Sequence, residues 1–360
     1  MDIYVVDGLN GAIDVIDTFQ SVIWNMQFFG ANDFELKVAG TPQNIARLQV
    51  GKLLVRGEDM SAGTFNNVML IESRELSFDI EEGWTLTVSG GGLKRILARR
   101  IVWNQTNLIG NVEQLIRQVI TDNVISPAIS ARAIPNFVLD AVQGFSDEIQ
   151  TEEADAQLSG ENIAEWLESI CQNYGIGWDV YITGGNYVFT LKKGTDRTYD
   201  QNDVVSVVFS PKYDNLITST YTYDIKEYRN AALVAGEGEG TNQRITTVGS
   251  ASGLDRFETY VDGSSVSSNG KIITLDTYMK MLQDYGNEQI KDTQFAEKFE
   301  GEVVPNGMYD FNVDYFLGDL VQIENENGIS AQTRIIEAIY SEDSNGSALT
   351  PTFSNWESED

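Results

Sequence analysis

Histidine is absent from the 360 residues, and cysteine occurs once, at Cys171. The first absence excludes the Ser-His-Asp triad, the Cys-His pair and ordinary zinc or copper sites. The second excludes an intramolecular disulfide framework. The chemistry left open is carboxylate catalysis, a lysine or tyrosine base, or oxygen-ligated Ca²⁺ or Mg²⁺. Basic residues are scarce, 24 against 54 acidic ones, for a formal net charge of −30. Such a chain repels nucleic acid and anionic lipid, so sequence-specific nucleic-acid binding is not expected. No apolar run approaches the ~20 residues that span a bilayer, so no transmembrane segment is expected. The start, MDIYVVDGLNG, lacks the basic region and apolar core of a signal peptide, which predicts synthesis in a cytosol without signal-dependent export.

What is present is a foldable, strand-rich chain. Hydrophobic residues make up 42% of it, enough to bury a core. Its length exceeds what one core usually holds, so two or three domains are expected. Stretches 15–29, 32–40, 52–58, 66–80 and 84–90 carry the branched and aromatic residues of strands. Within 84–90, Trp84, Leu86 and Val88 alternate with Thr85, Thr87 and Ser89, the pattern of a half-buried strand. Thr41-Pro42 opens a short helix as N-cap and first helical residue.

Between about 100 and 200 the periodicity turns helical. Ile163, Trp166, Leu167, Ile170 and Tyr174 share one face of a helix over 159–175, with Ser159 as the expected cap and Gly175 as terminator. A hairpin turning at Gly184-Gly185 follows. Strands return from about 203, interrupted by a helix over 275–291 with Tyr278, Leu282 and Tyr285 along one stripe. Asn-Gly, the strongest short hairpin signal, occurs at 10–11, 269–270, 306–307, 327–328 and 345–346. The last two punctuate a meander over 314–353.

No stretch carries a specific catalytic motif. SGGGLKR (89–95) places Lys94 after a glycine-rich turn, where a phosphate could sit, but it fits neither the Walker A pattern nor G-x-G-x-x-G. A strand-to-helix turn is the better reading. The acidic pairs Glu81-Glu82 and Glu152-Glu153 are sequence neighbours, whereas a glycosidase needs two carboxylates facing across a cleft. ENENG (324–328) and SEDSNG (341–346) share only composition with calcium loops and fall where the periodicity demands turns. Cys171 reads as a small core residue, with no histidine or second cysteine to activate it. The aromatics sit at core periodicity, which favours packing over sugar stacking.

Five stretches in order carry a resemblance: LTVSGGGLKRILARRIVW (86–103), LKKGTDRT (191–198), FSPKYDNLITSTYTYDIKEYRNAALVAGEGEGTNQR (209–244), LDRFETYVD (254–262) and DYFLGDLVQIENENG (314–328). Together they resemble the tail-tip and baseplate hub proteins of phages, most of all the siphophage tail proteins of Gram-positive hosts that are often termed tail-associated lysins. The resemblance implies a β-dominated, multidomain α+β chain with two tube-type β-barrels and α+β insertions. The expected division is a first barrel over 1–98, an α+β insertion over 99–202, and a second barrel over 203–360 with a helical insertion around 271–300.

It also implies a homotrimer at the virion's tail tip, assembled in the host cytoplasm. Two barrels per chain would give six around the axis, matching a three-fold ring to a six-fold tube. The implied partners are a distal-tail ring, the tape-measure protein, receptor-binding or plug proteins, and DNA passing transiently through the lumen. No cofactor and no catalytic or metal-binding residue is implied. The residues expected to matter are architectural: Tyr315, Phe316, Gly318, Asp319 and Gly328. Many relatives continue into fibre or peptidoglycan-cleaving segments. This sequence ends at FSNWESED, so lytic activity is not expected of it, and a peptidoglycan- or polysaccharide-degrading tail enzyme is the alternative. Part of the negative charge is expected to line the bore, the alternative being a solvated acidic exterior.

Overall fold

The structure, a computed structural model, describes residues 1–9, 11–81, 83–145, 153–268, 270, 273–291, 293, 296–304 and 307–354. It is a mixed α+β architecture dominated by strands. The largest sheet has eleven strands. Its path runs Val208–Phe209, Leu320–Glu324, Ser330–Asp343, Ser21–Gln27, Asp33–Ala39, Gly83–Gly92, Met69–Asp79, Leu53–Arg56, Ile3–Val6 and Ala12–Ile16, with Gly346–Phe353 also paired to Ser330–Asp343. The two ends of this path do not meet, so among the described residues the sheet stays open and no closed barrel forms.

The 14-residue strand Ser330–Asp343 organises this sheet. Its first part pairs with Leu320–Glu324, Arg334 lying opposite Leu320. Its second part pairs with Ser21–Gln27, Glu337 lying opposite Gln27. One strand therefore belongs to two hydrophobic cores. Ala338 packs with Trp24, Leu36 and Leu86 in the N-terminal core, while Ile335 packs with Phe209, Tyr315, Ile323 and Phe353 in the C-terminal one. The two expected Asn-Gly turns are formed, at Asn327-Gly328 and Asn345-Gly346, with the glycines at φ +82° and +134°.

A third core holds α2 (Val112–Ile120), α3 (Ile163–Asn173) and the hairpin Gly177–Thr183/Asn186–Lys192. It is continuous with Val6, Val55 and Leu70 on the outer face of the N-terminal sheet. A fourth joins α4 (Leu275–Lys291) to a three-stranded sheet of Ala231–Ala235, Ile245–Val248 and Glu258–Asp262, with Tyr278 and Leu282 fully buried. Among the described residues no helix is long and apolar enough to cross a membrane.

Local expectations hold in part. Thr41 caps α1 (Pro42–Arg47), its hydroxyl accepting from the Asn44 N–H at 3.2 Å. The helix expected from Ser159 begins later, because Asn162 Oδ1 accepts from the Ala164 and Glu165 N–H groups and fixes the start at Ile163. The glycines at 90–92 lead into a 3-10 segment, Leu93–Arg99. The stretch 15–29 is two strands, broken between Ile16 and Ser21. Trp84 departs from its alternation and is 55% exposed, although Leu86 and Val88 are buried. The flanking strand Asp33–Ala39 stops at the rung Ala39–Thr85, and the hairpin Met69–Asp79/Gly83–Gly92 runs on past it.

Candidate functional site

A dense set of polar and steric constraints lies where the long strand changes partners. The carbonyls of Ile335 and Ile336 accept from the Gly318 N–H at 2.7 Å and the Phe28 N–H at 2.8 Å. Gly318 belongs to the C-terminal lobe and Phe28 to the end of an N-terminal strand, so two adjacent carbonyls join the lobes. Phe28 is the pivot. A Cβ on Gly318 would lie 2.2 Å from its ring, and a Cβ on Gly177 would lie 2.3 Å from it. Gly194 is as constrained, since its Cβ would lie 1.6 Å from the Gly318 carbonyl oxygen. Arg334 closes the clasp, donating from Nη1 to that oxygen at 2.8 Å, with its guanidinium 5.9 Å from the Phe28 ring centre.

Asp319, buried beside Gly318, ties in a third segment. Its carboxylate accepts from the Thr195 N–H at 2.7 Å, the Phe316 N–H at 3.0 Å and Arg197 Nε at 2.6 Å. Arg197 also lies 5.7 Å over the Phe316 ring. The stretch 194–197, which follows the hairpin strand Asn186–Lys192, is thereby pinned to the entry of the C-terminal meander.

Lys94 holds the other side of the pivot. Its ammonium is buried and donates to the carbonyls of Gln27 at 2.7 Å, Gly30 at 2.8 Å and Phe28 at 3.2 Å. It stands 5.0 Å from the Trp178 ring, whose indole N–H donates to the Phe29 carbonyl at 2.6 Å. Burial pulls the Lys94 pKa down to about 8, against the pull of the Asp179 carboxylate. For Asp179, burial pushes the pKa up, but Lys192 and Lys94, with hydrogen bonds from Lys192 and the Val180 N–H, hold it below the usual range.

These contacts retire the phosphate reading of SGGGLKR. All three Lys94 donor directions are used inside the protein. The glycines serve close backbone approach instead, since a Cβ on Gly90 would lie 2.0 Å from the Leu70 carbonyl oxygen. Replacing Lys94 with methionine should cost about 2–3 kcal/mol at pH 7, because three buried carbonyls lose their donor. The native state releases the Lys94 proton above pH about 8, whereas the unfolded chain keeps it to about 10.4. Wild-type stability relative to Lys94→Met should therefore rise from pH 8 to 10.5. Urea unfolding of both proteins at pH 7 and 9.5 measures this, and a gap that shrinks at the higher pH would refute it.

The five architectural residues fall in three places. Phe316, Gly318 and Asp319 meet at the junction. Tyr315 lies next to it in the C-terminal core, its ring edge-on to Phe209 at 5.4 Å. Burial, with Asp310 and Asp314 nearby, raises its phenol pKa. Gly328 sits apart at a turn with open space around it. Sequence reading missed Phe28, Gly177, Gly194, Arg197 and Arg334. LKKGTDRT, which holds Gly194 and Arg197, and DYFLGDLVQIENENG, which holds Gly318 and Asp319, are among the stretches that carry the family resemblance, but nothing in them signals that they meet.

The other candidates are ordinary. Asn325 Oδ1 accepts from the Asn327 and Ile329 N–H groups, and Asp343 Oδ1 from that of Asn345, as in polar turns. Among the described residues no cluster of three acidic or thiol ligands could hold a metal. Glu82 and Glu152 lie outside the described residues. A cleft of about 520 Å³ lined by Val50, Leu53, Glu72, Ile96, Arg99 and Tyr187 holds one carboxylate. That carboxylate, Glu72, is paired with Arg95 at 2.7 Å and Arg99 at 3.6 Å. Cys171 is fully buried, which raises its thiol pKa and keeps it protonated.

Solved structures share this fold along almost their whole length. The 43 kDa tail protein of prophage MuSo2 from Shewanella oneidensis superposes with a TM-score of 0.58 at 14% identity, covering 99% of this chain and 98% of that one. A tail protein from Neisseria meningitidis MC58 gives 0.55 at 15% identity, with 98% and 96% covered. Prophage tail protein gp18 from Listeria monocytogenes EGD-e gives 0.52 at 14%, with 99% and 96% covered. No curated protein matches the sequence. A family model described as Siphovirus ReqiPepy6 Gp37-like protein matches residues 2–354.

Proposed function

This chain belongs to the Siphovirus ReqiPepy6 Gp37-like family of siphovirus tail proteins, and we propose that it is a structural hub at the tail tip. Three copies form a ring that caps the tail tube. A distal-tail ring and the tape-measure protein lie above it, and receptor-binding or plug proteins lie below. Residues 1–98 and 203–360 supply two tube-type lobes, and 99–202 an α+β unit outside them.

The observation that carries this reading is the strand Ser330–Asp343, which gives both β lobes a common backbone. Lobes joined in this way keep a fixed mutual orientation, as a part must if three copies are to present six lobes to a tube. The junction around Phe28 stiffens the joint and holds no reacting group. In the ring, part of the −30 charge of each chain faces the bore, so that DNA passes without adhering. The virion tail tip, assembled in the host cytoplasm, is its place of action. Gold-labelled antibody against this chain should mark the distal end of intact tails. Label along the tube or on the head would contradict the reading. A lytic band in zymography on bacterial cell walls would favour the enzyme alternative instead.

A further inference from the structure

Two exposed surfaces of opposite character lie at opposite ends of one hairpin. At the tip of Met69–Asp79/Gly83–Gly92, beyond the last rung of the flanking strand, Phe78 is 62% exposed, Ile80 91% and Trp84 55%. Phe78 lies opposite Trp84 across the hairpin, ring centres 5.2 Å apart, with Leu76 on the same face. The exposed acid Glu81 follows them at the turn, whereas Glu75 lies on the opposite face of the hairpin. Exposed aromatics paired on a projecting hairpin are costly in water and mark a contact surface.

The second surface follows the other end of this hairpin. Trp103 is 55% exposed, with Ile101 and Ile129 also exposed. The Arg132 guanidinium covers the Trp103 ring at 4.8 Å and donates to the Ile101 carbonyl at 2.6 Å. Arg100 donates from Nε to the Arg132 carbonyl at 2.8 Å. Burial and the charge of Arg100 hold the Arg132 pKa below its usual value. In a chain with 54 acids, neither arginine has an ion pair among the described residues. Two fixed like charges around an exposed indole call for an acidic, aromatic partner.

The strand Gly83–Gly92 between the two regions is ~30 Å long, so the tip does not fold back onto the arginines of its own chain. We infer that the Phe78/Ile80/Trp84 tip of one copy docks on the Arg100/Trp103/Arg132 surface of the next copy. The pairing brings aromatics together and sets Glu81 against Arg100 and Arg132. Because the two surfaces differ, the contact is head-to-tail, the type that closes into a ring when the rotation between copies permits. The inference rests on the ring reading and names the surfaces that build the ring.

The test uses the full chain with Ser77→Cys and Asn104→Cys, exposed neighbours of Phe78 and Trp103 that leave the contact aromatics in place, singly and together, treated with a short bismaleimide. The native Cys171 is buried and protected from the reagent, and both substituted positions are exposed; an unfolding curve matching the wild type checks that each variant folds. Light scattering of the untreated wild type runs in parallel. The expected result is covalent mass up to three chains for the double variant. An equal mixture of the two single variants should stop at two. A wild type of three-chain mass with no specific cross-link would overturn these surfaces and leave the ring reading standing. A wild type of one-chain mass at every concentration would overturn both.

Discussion

Gly318→Ala should destabilise the protein by about 4 kcal/mol and lower its soluble yield. Two independent terms produce this. At φ +96° an L-residue is strained by about 1–3 kcal/mol, and the new Cβ would lie 2.2 Å from the Phe28 ring. That ring cannot swing aside, because Gly177 backs it on another side. Gly328→Ala is the matched control. It has a similar φ of +82° with nothing nearby, so only the strain term applies, about 1–2 kcal/mol. The steric part has its own signature. In a Phe28→Ala background, Gly318→Ala should cost about 2 kcal/mol less than it does alone. Urea unfolding of the four proteins completes the cycle, and additive single effects would show that the two residues are not in contact.

Asp319→Ala should cost about 3–5 kcal/mol. The carboxylate is 3% exposed and accepts three bonds, from Arg197 Nε and the N–H groups of Thr195 and Phe316. Its removal leaves a guanidinium only 15% exposed without its counter-charge and two backbone donors unmet. Asp319→Asn keeps one acceptor and should fall between wild type and Ala. Arg197→Met should cost less than Asp319→Ala, because Asp319 then keeps both backbone donors. A shift in the urea midpoint equivalent to less than about 1 kcal/mol for Asp319→Ala would contradict this account of the junction.

Much of this was legible in the residues. The terminal meander followed from Asn-Gly spacing and strand alternation, because a two-residue turn needs positive φ and declares itself locally. The stripes Ile163–Tyr174 and Tyr278–Tyr285 were equally plain, since helical periodicity is a local property. Gly318 and Asp319 stood out within YFLGD. The reason they matter did not, because Phe28, Gly177 and Gly194 come from segments far apart, and nothing local marks a glycine as a ring's neighbour. The role of Lys94 was hidden for the same reason, although the strand-to-helix turn at SGGGLKR was read correctly. A lysine after glycines suggests an anion, and only the fold brings the 27–30 carbonyls to its ammonium. Trp84 followed the alternation of a buried position but is exposed, because the neighbouring strand ends one rung short and periodicity cannot report a partner's length.

The central claim is that this chain works by shape and copy number. The most direct measurement is the mass of the purified protein by light scattering over a wide range of concentration. The account predicts a species of three times the 40.0 kDa chain mass, ring-shaped in negative stain with three-fold symmetry. A persistent single-chain mass across the range would contradict it.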